Sequence, residues 1–154
     1  TVTGVQTCAL PIFPKAKITD NPYDFSFSGV KSAVLNYING CRMKQIPIVE
    51  ADIAASFQKA VTDVLIEHAM AAVKESRIKK LAIAGGVAAN GVLRRGMQEA
   101  CQRRGIEFFY PTPIFCTDNA AMIGTAAYYE YLSGKRDGWD LNAIPNLKLG
   151  QARD

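Results

Sequence analysis

The sequence predicts an α/β fold in which helices alternate with a few parallel strands. Two short apolar segments, Lys79–Gly86 and Ile106–Tyr110, are separated by a helical pattern, and this alternation is typical of βαβ units. Hydrophobic residues make up 49% of the 154 residues, a fraction that supports a packed core and excludes a disordered chain. Because only two or three strands are visible, we expect the chain to be part of a larger α/β protein.

The N-terminal part of the sequence predicts a loop followed by a helix. Residues 13–23 contain two prolines and a Thr-Asp-Asn cluster, which favour an irregular loop. Asp24–Phe27 alternates polar and aromatic residues, as a short strand or an extended segment does. Ser28 is the predicted N-cap of the first helix and Gly40 its predicted end. Residues 41–49 form the predicted linker to the next helix.

The second helix has the clearest pattern in the chain. It covers Glu50–Ser76, contains neither glycine nor proline, and carries a continuous apolar stripe. His68 lies on or beside that stripe. A single histidine in this position is more often a core or boundary residue than a metal ligand, because no second histidine is there to help it bind.

Two strands and two further helices are expected in the C-terminal half. The segment Lys79–Gly86 lacks polar alternation, so we expect a strand that is buried on both faces and ends in two glycines. A helix is predicted over Asn90–Arg104, and the segment IEFFY that follows predicts the second strand. The last helix is predicted over Asn119–Leu132, with Gly134 as its end. In the loop-like tail we expect Trp139 to pack back on the body.

Charge and cysteine content limit the possible functions. The chain has 18 Lys and Arg against 14 Asp and Glu, a net charge of +4, which permits contact with a polyanion without requiring it. The four cysteines have no CxxC spacing, which excludes a zinc knuckle, and without a secretory signal we expect them to be reduced. The sequence has no apolar run long enough to cross a membrane.

The first twelve residues, TVTGVQTCALPI, match no helix or strand pattern and have neither the charged start nor the cleavage site of a signal peptide. We therefore expect residues 1–12 to be a non-native or disordered lead-in. In that case Cys8 has no role in the fold.

The first candidate site is the segment AIAGGVAANGVLRR, Ala82–Arg95. A strand that runs through Gly85 and Gly86 into a helix N-terminus lets backbone N–H groups approach a phosphate, and the helix dipole favours an anion there. Asn90 falls at or near the N-cap, where its amide can serve the helix, a ligand or both. An ordinary tight turn before a capped helix fits the same residues equally well.

The second candidate site is Asp118, which precedes an alanine-rich helix. It fits an ordinary N-cap and, alternatively, a carboxylate exposed at a loop-to-helix junction that binds a metal ion. A third segment, Asp24–Lys31, reads as the entry to a helix. Its Lys31 can meet an anion, although a solvated surface lysine is the default interpretation.

Five segments of the chain follow one another in the order found in a known family. They are FPKA (Phe13–Ala16), DFSFSGVKSAV (Asp24–Val34), DIAASFQKAV (Asp52–Val61), GGVAANGVLR (Gly85–Arg94) and FCTDNAAMIG (Phe115–Gly124). Together they closely resemble the C-terminal half of the TsaD family, enzymes that make N6-threonylcarbamoyladenosine on tRNA. Five ordered motifs are far more specific than any one of them.

The resemblance implies a fold and a reaction. The fold is the ASKHA fold of actin, Hsp70 and sugar kinases, with two RNase H-like lobes around a nucleotide cleft. Residues 50–150 would form the C-terminal lobe, and residues 13–49 a loop and helical segment before it. The reaction transfers the threonylcarbamoyl group from threonylcarbamoyl-AMP to N6 of the adenosine beside the anticodon of tRNA. The implied partners are TsaB- and TsaE-like proteins in a bacterial cytoplasm, with no membrane.

The resemblance also implies site residues. By position, Asp118 matches the family's metal-binding aspartate and Asn90 its nucleotide-contacting asparagine. Gly85 and Gly86 would form the adjacent substrate-binding loop on the phosphate side. The implied cofactor is one divalent metal ion, Fe²⁺ or alternatively Zn²⁺. Its remaining ligands would lie in the N-terminal half of the enzyme, and no residue of this chain is assigned a catalytic role.

The chain departs from the family pattern in its histidines. The family's other metal ligands are two histidines of an HxxxH-type helix, whereas this chain has only His68, outside any such motif. We therefore expect a C-terminal fragment that binds metal weakly and lacks transferase activity alone. Lys31 and Arg94 match motif positions, but the resemblance assigns them no role.

Two other interpretations of the parent protein stay open. One is a non-catalytic ASKHA-type partner lobe in the same pathway, which would have no need to keep Asp118. The other is an ATPase or sugar kinase of the same fold, which would need a carboxylate aimed at a sugar hydroxyl. A peptidase has no support, because the sequence contains neither HExxH nor a Ser/His/Asp set.

Overall fold

A computed structural model describes residues 13–14 and 23–146. The elements in chain order are α1 (Ser28–Met43), α2 (Glu50–Ser76), β1 (Lys80–Ala82), α3 (Gly91–Gln102), β2 (Glu107–Phe109) and α4 (Ala120–Leu132). Short 3-10 turns lie at Gly86–Ala89 and Pro113–Phe115. The chain divides into two compact units, with the boundary between Thr117 and Asp118. The predicted lead-in at 1–12 lies outside the described residues.

The sheet consists of β1 and β2, which pair in parallel with Leu81 opposite Phe108. Parallel neighbours need a crossover connection, and α3 provides it. The predicted βαβ unit is therefore confirmed. The prediction that β1 is buried on both faces is wrong: Leu81 is half-buried, whereas Lys80 and Ala82 on the opposite face are exposed. The core described below packs against the Leu81 face only.

The main core forms where α2 and α3 pack together against the sheet. The buried side chains of this core come from α2, α3 and the start of β2: Met70, Val73, Leu93, Met97, Ala100, Cys101 and Ile106. Half-buried Leu81 and Phe108 pack against it from the strands. Fully burying one such aliphatic side chain contributes about 1.5–3 kcal/mol. This core fixes the position of α3 and therefore of the loop that precedes it.

The predicted bounds of α2 are confirmed at both ends, Glu50–Ser76. Those of α1 are not. Phe27 is the N-cap residue of α1 and no side chain caps it, since the Ser28 hydroxyl lies inside the helix, 3.1 Å from Ser26 Oγ. The helix also continues through Gly40, and the left-handed residue after it is Gln45 with φ 55°. Glycine permits a helix to end but does not require it to. Cys41, the next residue, is still part of the helix and is buried.

The segment before α1, residues 24–27, forms no strand. The Phe25 ring stacks on the ring of Phe27 with centroids 6.0 Å apart and on that of His68 at 4.9 Å. Tyr23 donates a hydrogen bond to Glu75 of α2, and this bond raises the pKa of the tyrosine. His68 is half-buried, which confirms its interpretation as a boundary residue.

The C-terminal unit contains α4. The helix ends at Leu132, before its predicted stop Gly134, which has a φ of 85°. Trp139 is fully exposed, so the prediction that it packs on the body is wrong. Within the described residues, the helices are too short or too polar to cross a membrane.

The helices α2 and α3 approach each other closely at Gly96. A Cβ atom at this position would lie 2.6 Å from Ile66 Cδ1, closer than two non-bonded carbon atoms approach. Glycine inside a helix costs about 1 kcal/mol relative to alanine. The glycine is therefore explained by the packing of Ile66.

We predict that Gly96→Ala stabilises the chain more when Ile66 is shortened than in the native background. In the Ile66→Val background, which lacks Cδ1, Gly96→Ala should raise the free energy of unfolding in urea by about 1 kcal/mol. In the native background the gain should be smaller by at least about 0.5 kcal/mol, because Ile66 must move. Gly40→Ala is the matched control, since a Cβ there meets no atom within 4 Å, and its effect should be the same in both backgrounds. Equal effects of Gly96→Ala in the two backgrounds would contradict this account.

Candidate functional site

The loop between β1 and α3 is shaped by one glycine and one short turn. Gly85 has φ 84°, a conformation that glycine adopts readily and L side chains rarely do. The 3-10 turn Gly86–Ala89 follows, and Ala88 N donates to Gly85 O at 2.9 Å. The predicted Gly-Gly loop is thus a turn in which Gly85, rather than Gly86, requires glycine. Within this turn, the side chain of Ala88 is buried.

Asn90 is the N-cap of α3, as the sequence predicts. Its Oδ1 accepts hydrogen bonds from Val92 N at 2.9 Å and from Leu93 N at 3.0 Å. Its Nδ2 donates to Gln58 Oε1 of α2 at 3.0 Å. A carboxamide nitrogen carries two N–H donors, of which Gln58 takes one. The side chain therefore serves the helix, and its remaining N–H is the part that a ligand can use.

Arg94 joins the two loops that follow the strands. Its Nε donates to Ala88 O in the loop after β1. Its Nη2 donates to Pro111 O at 2.7 Å and contacts Cys116 Sγ at 2.9 Å, both beyond β2. The guanidinium carbon lies 4.8 Å from the centroid of the Tyr110 ring. Because parallel strands end at the same edge of a sheet, one guanidinium reaches both loops.

The described cysteines are free thiols, as expected from their spacing: Cys41, Cys101 and Cys116 are all buried. Burial raises the pKa of the Cys101 thiol, so this side chain behaves as a small apolar core residue. Cys116 contributes to the contact with Arg94 described above. Cys8 lies outside the described residues.

Asp118 is exposed and belongs to the C-terminal unit. The interpretation of Asp118 as an N-cap is wrong, because Asn119 caps α4 by accepting a hydrogen bond from Met122 N at 3.0 Å. The described residues contain no group of three or more His, Cys, Asp or Glu side chains that could hold a metal ion. Asp118 can therefore provide one ligand of a metal site but not a whole site.

Lys31 is an exposed residue of α1. It lines an apolar groove of about 520 Å³ between α1 and α2, whose floor includes Val34, Ile38 and Ile53. The structure brings Gly85, Gly86 and Asn90 together in one loop. Lys31 instead belongs to the groove between α1 and α2.

Sequence reasoning missed the roles of Gln58 and Arg94. Both residues lie in segments that carry the family resemblance, DIAASFQKAV and GGVAANGVLR. Their place in these two segments is the only signal in the sequence that either residue has a role. Their hydrogen-bond partners lie up to 32 residues away, too far for local patterns to predict.

We predict that Arg94→Lys lowers the free energy of unfolding by about 1–3 kcal/mol. A lysine cannot donate to both loops at once, so buried carbonyl oxygens lose their partner. Arg95→Lys is the matched control, because Arg95 is the exposed neighbour on the same helix, and its effect should stay within about 0.5 kcal/mol. Both values are measured by urea unfolding. Equal effects of the two substitutions would show that Arg94 does not tie the loops together.

Comparison with known proteins gives a consistent match. A family model described as TsaD, tRNA N6-adenosine threonylcarbamoyltransferase, matches residues 4–125. Relatives with this same name include a protein of Clostridium novyi (strain NT), 57% identical over 141 residues, which are 91% of this chain and 41% of the relative. A protein of Clostridium botulinum (strain 657 / Type Ba4) is 55% identical over 139 residues, which are 90% of this chain and 41% of the relative.

The chain spans about two fifths of the length of these relatives, since the matched part is 41% of each. The match nevertheless includes the loop after β1, Asn90 and Asp118, all of which fall within residues 4–125. On the extent of this match, the chain belongs to the TsaD family, the tRNA N6-adenosine threonylcarbamoyltransferases.

Proposed function

We propose that a protein containing this chain transfers the threonylcarbamoyl group from threonylcarbamoyl-AMP to N6 of the adenosine beside the anticodon of tRNA. The observation that carries the proposal is the glycine turn at Gly85 followed by the Asn90-capped helix, in a chain whose relatives are named for this transfer. The chain would form part of the C-terminal RNase H-like lobe of an ASKHA fold. The βαβ unit supports this placement.

The loop after β1 would hold the phosphate side of the donor. Asn90 Oδ1 already occupies the N–H groups of Val92 and Leu93, so these two are not available to a phosphate. The first N–H groups of a helical turn lack partners within the turn. In the 3-10 turn these belong to Gly86 and Val87, both of which are exposed. We therefore assign phosphate contact to these two N–H groups.

In the proposed reaction, the N6 amine of the adenosine attacks the carbamoyl carbon of the donor. A C–N bond forms, the bond from that carbon to the phosphate oxygen breaks, AMP leaves with the oxygen, and the amine loses a proton to solvent. Negative charge grows on the leaving phosphate. Backbone N–H groups that are already oriented stabilise such charge without reorganising. The contacts of Arg94 and Asn90 would keep the loop in this orientation.

Asp118 would supply one ligand for a divalent metal ion, Fe²⁺ or alternatively Zn²⁺. Carboxylate oxygen is a ligand for both ions, and the Asp118 side chain is exposed while Asn119 caps the helix. A bound ion would polarise the donor as a Lewis acid. The described residues contain no group of three or more such ligands, so ligands would also come from the rest of the parent protein.

The partners form part of the same proposal. The net charge of +4 is compatible with tRNA, whose phosphates attract basic surfaces. TsaB- and TsaE-like proteins would assist the reaction in a bacterial cytoplasm.

The proposal is tested in a chimeric enzyme, in which this chain replaces the stretch that it matches in the Clostridium novyi relative. We predict that Asp118→Ala lowers tRNA modification by at least about tenfold, because a lost ligand costs no less than a lost second-shell contact. The measurement is the threonylcarbamoyladenosine content of a tRNA transcript, determined by mass spectrometry in a reconstituted assay.

Asp140→Ala is the matched control, since Asp140 is another exposed aspartate of the same unit, and it should leave modification unchanged. Unchanged modification in Asp118→Ala would refute the metal role of this residue. An unsubstituted chimera that is folded but inactive would favour the non-catalytic partner lobe instead.

A further inference from the structure

We propose that Gln58 is a positioning residue that sets the orientation of the Asn90 carboxamide. Gln58 lies on α2, 32 residues before Asn90 in the chain, and its Oε1 accepts the hydrogen bond from Asn90 Nδ2 at 3.0 Å. This side-chain hydrogen bond connects the long helix α2 to the N-terminus of α3. The consequence for donor binding rests on the function proposed above.

The orientation of the carboxamide matters because its two ends have nearly the same shape and opposite hydrogen-bonding character. In the observed orientation, the oxygen of Asn90 faces the N–H groups of Val92 and Leu93. Turned by 180°, the NH₂ group would face these two donors, and the cap would be lost. The oxygen would then face Gln58 Oε1, so an acceptor would meet an acceptor. As long as Gln58 keeps its Oε1 towards Asn90, as observed, it disfavours the turned state at the opposite end of the same group.

The surroundings of Gln58 make it a firm support. Gln58 and Asn90 are both half-buried, and a hydrogen bond with less access to water is stronger than an exposed one. The backbone oxygen of Gln58 accepts a hydrogen bond from Thr62 Oγ1 at 2.9 Å, and Thr62 is itself buried. The backbone of Gln58 thus belongs to a packed part of α2, outside the loop.

Gln58 acts through Asn90 and is not a catalytic residue. Its loss should free the carboxamide to rotate, which weakens the cap of α3 and misplaces the second N–H of Nδ2. In the function proposed above, the loop that these groups keep in place binds the donor. We therefore expect a rise in KM for threonylcarbamoyl-AMP, with little change in kcat.

The orientation itself is tested on the full 154-residue chain, without any activity measurement. Gln58→Met keeps the length of the side chain and removes the acceptor, whereas Gln58→Glu keeps an acceptor oxygen. The observable is hydrogen exchange at Asn90 Nδ2 by ¹⁵N NMR, with the signal assigned by its disappearance in Asn90→Asp. Exchange should be at least about tenfold faster in Gln58→Met, the effect of one lost hydrogen bond, and close to native in Gln58→Glu.

Gln98→Met is the matched control, because Gln98 is an exposed glutamine on α3, and the Asn90 signal should not change. Native exchange in Gln58→Met would overturn the inference. So would equal exchange in Gln58→Met and Gln58→Glu, since the acceptor oxygen would then be irrelevant. A loss of thermal stability shared by both variants, with amide shifts spread over α2, would show that Gln58 is only a structural residue.

The consequence for the reaction is tested in the chimeric enzyme described above. Gln58→Met should raise KM for threonylcarbamoyl-AMP about tenfold and change kcat less than twofold, with recovery in Gln58→Glu. An active chimera whose KM is unaffected would overturn the positioning role. Inactivity of the unsubstituted chimera would instead count against the proposed function, and the NMR result would still decide the orientation.

Discussion

The structure around the candidate site depends on the hydrogen bonds of one side chain, the carboxamide of Asn90. Its oxygen closes the N-terminus of α3, and its nitrogen connects that helix to α2 through Gln58. One turn further along α3, Arg94 binds the carbonyl oxygen of Ala88 and reaches the loop after β2. The loop between β1 and α3 is therefore held by the Asn90 carboxamide and by the Arg94 guanidinium. The apolar core between α2 and α3 holds the helix α3 itself.

This arrangement explains why a loop with two glycines can be well defined. Gly85 makes the turn possible through its positive φ, but a glycine contributes no side-chain contact and loses much conformational freedom on folding. The order must come from neighbouring residues, and Asn90 and Arg94 provide it. Because the α3 N–H groups of Val92 and Leu93 are occupied by Asn90, the proposed phosphate contact falls to the exposed 3-10 turn. A rigid set of N–H dipoles of this kind is suited to a developing phosphate charge.

The sequence predicts those features that depend on local patterns. The apolar periodicity of α2, the amide cap at Asn90 and the end of α4 before Gly134 are properties of short segments, and all three are confirmed. The cap positions predicted at Ser28 and Asp118 are wrong by one residue: Phe27 is the N-cap residue of α1, without a side-chain cap, and Asn119 caps α4. The burial of β1 depends on which faces the helices cover, and the contacts of Gln58 and Arg94 depend on tertiary structure. Local periodicity carries no information on either.

The central claim is that the loop after β1 receives the adenylate of the donor. The most direct measurement is a crystal structure of the chimeric enzyme with a non-hydrolysable analogue of threonylcarbamoyl-AMP. The account predicts that the phosphate lies within hydrogen-bond distance of the N–H groups of Gly86 and Val87, and that Asn90 keeps its bond to Gln58. An analogue bound away from this loop, or an Asn90 side chain turned away from Gln58 in the complex, would contradict it.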